Sequence, residues 1–216
     1  MKLPRKPQAV VFDLDGTLID SEALVKDAHF AAIAQMGLTM SEAQFLALVG
    51  MHREANDIQL RGYYGDDFPL EDFIESTRAH VGQRVAPLKP GAVDLMARLD
   101  ELALPFGLAT SSRGPWVERH FAAHGLTDRF AAVVTRQDVV EGKPHPEPYL
   151  HAAQLLGRAP GDVLALEDSY AGVTSAHAAG LMTVMVPDLL APDADMRVKA
   201  LAILDSLHDV LPLLDA

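Results

Sequence analysis

Between residues 104 and 186 short apolar runs alternate with helical stretches, and this alternation narrows the possible folds more than any other feature. "LPFGLAT" (104–110), "FAAVVT" (130–135), "GDVLALED" (161–168) and "LMTVMV" (181–186) read as buried strands. "PWVERHFAAHG" (115–125) and "PEPYLHAAQLLG" (146–157) read as helices, each opened by proline and closed by glycine, and "SYAGVTSAHAAG" (169–180) reads as a third. Continuously apolar strands joined by helices require a parallel sheet covered on both faces. "AVVFD" at positions 9–13 has the composition of one more strand of that sheet, and "SLHDVLPLLDA" reads as a short closing helix. Residues 20 to about 86 break the alternation: they show helical periodicity and no strand, with "RGYYGDDFP" (61–69) as a break between helices. The expected organisation is an α/β, Rossmann-like core of residues 1–18 and 88–216, interrupted by a small all-helical domain of residues 19–87.

Composition excludes several function classes. The 216 residues carry 18 Lys and Arg against 30 Asp and Glu, a formal charge of −12, which disfavours nucleic acid and anionic membranes as partners. There is no cysteine, so disulfides and thiolate chemistry are excluded. "MKLPRKPQAV" lacks the apolar stretch of a signal peptide, and no run approaches a membrane span of roughly 18 residues. A cytoplasmic enzyme, monomeric or weakly dimeric, is expected.

Ligands of an open parallel sheet bind beyond the carboxyl ends of its strands. Here the first strand ends in Asp13 and Asp15, "FGLAT" in Thr110 followed by Ser111 and Ser112, and "ALED" in Glu167 and Asp168. The loop "EGKPHP" presents Lys143 between them. Four carboxylates crowded on one rim repel unless a hard divalent cation relieves them. A hydroxyl and a lysine beside such a cation suit phosphoryl oxygens. Asp13 is placed to attack phosphorus, and Asp15, two residues on, to exchange protons with the leaving oxygen and with water.

Taken in order, "VVFDLDGTL", "LATSS", "GKPHP" and "ALEDSYAG" resemble the four motifs of haloacid-dehalogenase-superfamily hydrolases. The subgroup is the one with a helical cap inserted after the first motif, which includes β-phosphoglucomutase-like enzymes and phosphatases. The resemblance covers essentially the whole chain. It implies Asp13 as nucleophile, Asp15 as general acid/base, and Thr110, Ser111 and Lys143 on the phosphate. It also implies Mg²⁺ held by Asp13, Asp168 and the Asp15 carbonyl, with Glu167 reaching the ion directly or through water, and a cap whose Arg53 faces a small phosphorylated metabolite. The dehalogenase reaction is disfavoured because Asp15 is present.

The expected activity is hydrolysis of a small phosphate monoester through an aspartyl-phosphate. A phosphosugar mutase is the alternative, weakened because Val25 stands where related mutases carry a cap histidine, with His29 one turn on. A non-enzymatic phosphoacceptor module shares the acidic strand ends but needs neither a helical cap nor Asp15. Plainer readings make Thr110, Ser111 or Ser112 a helix cap, Trp116 a packing residue, Met182 and Met185 core, and His52, His145 and His177 surface or loop residues.

Overall fold

Helical periodicity in residues 21–86 becomes four helices: α1 (Ser21–Gln35), α2 (Glu42–Leu46), α3 (Arg53–Tyr64) and α4 (Leu70–Gly82). The computed structural model describes residues 3–49, 53–82 and 84–215. The chain divides into two compact units: one is Ser21–Ala86, and the other comprises the residues up to Asp20 and from Pro87 on. The helical unit closes on Ala32, Ile33, Phe45, Leu48, Leu60, Phe68 and Phe73, all buried. Ser41 and Gln44 form a reciprocal capping box that starts α2. The expected break at 61–69 is shorter in the structure. Helix α3 continues through Tyr64, whose ring stacks on Phe68 at 5.0 Å, and the chain turns only at Gly65.

The second unit is a six-stranded parallel sheet. Its strands are β1 (Ala9–Phe12), β2 (Phe106–Ala109), β3 (Ala132–Val134), β4 (Val163–Glu167), β5 (Met182–Met185) and β6 (Ala202–Ile203), in the order β3-β2-β1-β4-β5-β6. Helices α5 (Ala92–Glu101), α6 (Gly114–His124), α7 (Glu147–Leu155), α8 (Tyr170–Ala178), α9 (Ala194–Lys199) and α10 (Leu211–Leu214) surround it. Strand alternation divides the core between two faces. Ala9 and Val11 pack with Tyr149, Ala152, Ala153 and Ala176 of α7 and α8. On the opposite face Phe12 meets Phe106 and Phe130 edge-on at 6.1 Å, and Phe130 packs on Phe121 of α6 at 4.6 Å. The Rossmann-like architecture expected from the alternation is therefore present. Met182 and Met185 lie in the core, as their strand setting requires. Strand β6 and helix α9 carry too few periodic residues to be visible in the sequence.

Register fixes the rim. Phe12 pairs with Leu108 of β2 and with Leu166 of β4, so the next residues along, Asp13, Ala109 and Glu167, lie level. Phe106 is 2% exposed and joins the aromatic cluster beneath that rim. Phe106→Ala should destabilise the protein by about 3–5 kcal/mol, read as a lower unfolding midpoint in urea.

Candidate active site

Asp13 follows directly on β1, and its N–H donates to the Leu166 carbonyl at 2.9 Å, which locks the residue to the end of β4. Lys143 enters from the loop before α7, through a cis Lys143–Pro144 peptide. Its Nζ donates to Asp13 Oδ1 at 2.5 Å and also to Glu167 Oε1. The three side chains are 3%, 9% and 0% exposed for Lys143, Asp13 and Glu167. Burial alone would discharge this ammonium, but Asp13 and Glu167 outweigh it and hold the Lys143 pKa above its ordinary value.

Glu167 is fully engaged. Oε1 also accepts from Tyr149 OH at 2.8 Å, and Oε2 accepts from the Asp168 and Ser169 backbone N–H groups and from Ser169 Oγ. Ser169 meanwhile caps α8 through the Gly172 N–H. The third residue of that helix must be glycine: a Cβ on Gly172 would sit 1.7 Å from Glu167 Oε1. A similar constraint holds at Gly16, where φ is +81° and a Cβ would lie 2.3 Å from Asp168 Oδ2. Asp168 is partly buried and accepts from Thr17 Oγ1 at 3.0 Å.

Asp13, Glu167 and Asp168 each offer an oxygen within 4.8 Å of the others, a donor set of hard carboxylates that fits Mg²⁺. Burial lifts the Asp13 pKa to about 8 against the pull of Lys143, with Glu167 and Asp15 adding to the rise. Burial, then Glu167 and Asp13, likewise hold Asp168 well above the carboxylate range despite Thr17 and Lys143. Both shifts mark a place where negative charge is in excess.

The Asp15 carboxylate lies outside this cluster. Its Oδ2 accepts from Ser112 Oγ at 2.5 Å and its Oδ1 from Trp116 Nε1 at 3.0 Å. Thr110 is buried, and its Oγ1 accepts from the Ser112 N–H at 3.0 Å. Ser111 is exposed beside it. None of these three residues caps α6. Its N-cap is Arg113, and the first helical N–H, of Gly114, is taken by Gln137 Oε1 at 3.0 Å. The hydroxyls are turned to Asp15 and to their own loop instead. Trp116, read from sequence as packing, bonds a rim carboxylate; its position two residues into a helix gave no sign of this. Tyr149 and Thr17 were missed because each sits in an unremarkable helix or turn pattern.

Arg53 begins α3, and its side chain and His52 lie outside the described residues. The helical unit has a cavity of about 360 Å³ lined by His29, Asn56, Leu60, Phe73, Thr77 and Arg78, among others. Among the described residues, no group hydrogen-bonds the buried Asn56 Oδ1 or Thr77 Oγ1. His29 Nδ1–H donates to the Val25 carbonyl at 2.9 Å, and burial lowers the His29 pKa. Among the described residues no helix is long and apolar enough to cross a membrane.

A parallel α/β sheet with paired aspartates after β1 and an acidic pair after β4 defines a class of phosphoryl-handling α/β enzymes. Residues 10–186 match the family model described as haloacid dehalogenase-like hydrolase, and the chain belongs to that family. It is 31% identical over 199 residues to hexitol phosphatase B of Escherichia coli K12, covering 90% of this chain and 88% of that protein. It is 33% identical over 225 residues to the CbbY protein of Cupriavidus necator, covering 94% and 86%. A solved family hydrolase from Deinococcus radiodurans R1, with bound phosphate and sodium, superposes with a TM-score of 0.80. It is 26% identical, over 95% of this chain and 93% of that one.

Because the Asp13 pKa is raised from 3.8 to about 8, the metal-free folded state keeps a proton that the unfolded chain loses, so stability should fall as pH rises through that window. Calorimetry of metal-free protein should show the unfolding temperature declining across it. Added Mg²⁺ should restore most at the alkaline end, and should release protons into weakly buffered solution below it. Gly172→Ala should lower both the unfolding temperature and the Mg²⁺ effect, since it displaces Glu167.

Proposed function

We propose that the protein is a Mg²⁺-dependent phosphatase that hydrolyses small-molecule phosphate monoesters through an aspartyl-phosphate on Asp13. The observation that carries this reading is the pairing of two differently held aspartates. Asp13 is buried on a lysine within reach of Asp168 and Glu167, and Asp15 is held apart from that cluster by Ser112 and Trp116.

Asp13 supplies the oxygen that attacks phosphorus in line. Lys143 orients that carboxylate and favours its ionised form, and with Thr110, and Ser111 at the loop, binds the transferring phosphoryl oxygens. The P–O bond to the alcohol breaks with its electron pair on the alcohol oxygen, which takes a proton from Asp15. Asp15, now a carboxylate, accepts a proton from water as that water attacks the phosphoaspartate, releasing phosphate and freeing Asp13. Asp13, Asp168 and the Asp15 carbonyl would hold Mg²⁺, which would supply charge neutralisation to the phosphoryl oxygens and the carboxylates. Glu167, with both oxygens already engaged, serves best by anchoring Lys143 and by reaching the ion through water. The helical unit, residues 19–87 by its sequence boundaries, acts as the cap, and Arg53 at the start of α3 is the cap residue suited to a second anionic group.

A mutase is not favoured: Val25 holds the position of the histidine that such a reaction needs, and the partly buried His29 packs edge-on against Phe45 and Phe73. The cavity within the helical unit favours a hydroxylated substrate group. Asn56 Oδ1 and Thr77 Oγ1 offer polar atoms to hydroxyl groups, and Phe73 and Leu60 give an apolar wall to C–H faces. The likeness to a hexitol phosphatase supports the same class.

With Mg²⁺ the protein should turn over p-nitrophenyl phosphate many times per chain, and Asp13→Asn should lower kcat by roughly three orders of magnitude or more. Undiminished turnover in that variant removes Asp13 as nucleophile. In a panel of phosphometabolites, hexitol and pentitol phosphates should give higher kcat/KM than phosphoglycolate, and Asn56→Leu should cost them about tenfold.

A further inference from the structure

The two hydrogen bonds on Asp15 are chemically unequal. An indole N–H donates and never accepts, so the oxygen facing Trp116 Nε1 at 3.0 Å, Oδ1, is an acceptor in either protonation state. A serine hydroxyl both donates and accepts. Ser112 Oγ, 2.5 Å from Oδ2, donates to Asp15 when the carboxyl is ionised and accepts from it when it is protonated. The holder is itself held. The Trp116 carbonyl bonds His120 Nδ1 at 2.9 Å, the His120 ring lies 4.2 Å from the indole, and the Arg119 guanidinium sits 4.7 Å over it. His120 is fully buried, so this wall of α6 is fixed within the sheet unit.

We infer that Trp116 is a positioning residue for Asp15: it claims Oδ1, so the transferable proton resides on Oδ2, beside Ser112. The inference rests on the reading of Asp15 as general acid/base. Without the indole, the carboxyl can turn about its Cβ–Cγ bond and carry its proton on either oxygen, and the share of molecules aimed at the leaving alcohol drops. In the step concerned, an Asp13 oxygen bonds phosphorus, the ester P–O bond breaks, and the alcohol oxygen receives the Oδ2 proton. Ser112 neither gains nor loses a proton overall; its hydroxyl turns to donate to the new carboxylate.

The test uses the full chain with Mg²⁺ and two esters that differ in their need for a proton. The ratio kcat/KM reports only steps up to departure of the leaving group. An alkyl phosphate such as a hexitol phosphate requires the proton, whereas p-nitrophenolate leaves without it. Trp116→Phe, which keeps a packed ring but removes the N–H, should lower kcat/KM about tenfold for the alkyl ester and less than about twofold for the aryl ester. Equal losses on both esters overturn the proposal and make Trp116 a packing residue. Asp15→Asn separates the underlying reading: if that variant keeps wild-type kcat/KM on the alkyl ester, Asp15 is not the acid, whatever Trp116 does.

A second readout needs no turnover. Trp116 is the one tryptophan in the chain, so the fluorescence comes from this indole and its immediate surroundings. In metal-free protein, Asp15→Asn and Asp15→Ala should shift the emission maximum, because the indole N–H loses its carboxyl acceptor. Emission unchanged in both variants overturns the proposal.

Discussion

The buried ammonium of Lys143 between Asp13 and Glu167 is the interaction on which the rest of the site depends. Three ionisable groups removed from water are tolerated only together. Loss of one partner from such a buried set typically costs about 3–5 kcal/mol, because it strands the remaining charge. The trio is also short of positive charge. With Asp168 and Asp15 added, four carboxylates face one lysine, and the raised pKa values of Asp13 and Asp168 express that imbalance. The surplus of negative charge at the rim thus follows from the folded state itself.

Much of the surrounding architecture serves to keep these groups still. Glu167 is held from five directions by Lys143, Tyr149, two backbone N–H groups and Ser169. The glycine at 172 lets α8 approach close enough to close that shell. Glycine at 16 performs the same office on the other side, allowing the chain after β1 to pass Asp168 as it leaves toward the helical unit. Lys143 ties Asp13 to Glu167, Thr17 bonds Asp168 and Ser112 bonds Asp15, so the site forms only when the ends of β1, β2 and β4 lie side by side.

Those parts of the protein governed by period and punctuation were legible in the sequence. The strands carrying Asp13, Thr110 and Glu167 are uninterrupted apolar runs, and proline and glycine bracket α6 and α7. The juxtaposition of Asp13, Lys143, Glu167 and Asp168 could be anticipated because parallel sheets collect their strand ends at one edge. What escaped was side-chain direction. Nothing in "SSRGPW" says that Ser112 and Trp116 turn to Asp15 while Gln137 caps the helix. Nor does "PEPYLH" reveal that Tyr149 reaches Glu167, since a tyrosine at that helical position is equally good packing. The break at 61–69 was overdrawn because two tyrosines beside a glycine look like a loop until Tyr64 finds Phe68.

The register of the central strands acts as a ruler for the chemistry. Phe12 is level with both Leu108 and Leu166, so the alignment of Asp13 with Glu167 is inherited from backbone pairing. A strand advances roughly 3.3 Å per residue and reverses its side chains at each step. One residue gained or lost within β1 or β4 would both displace and invert a carboxylate. The same change in the loops beyond the opposite edge would leave the rim untouched. Tolerance to insertion in this chain is therefore polar along the strand direction: permissive where strands begin and unforgiving where they end.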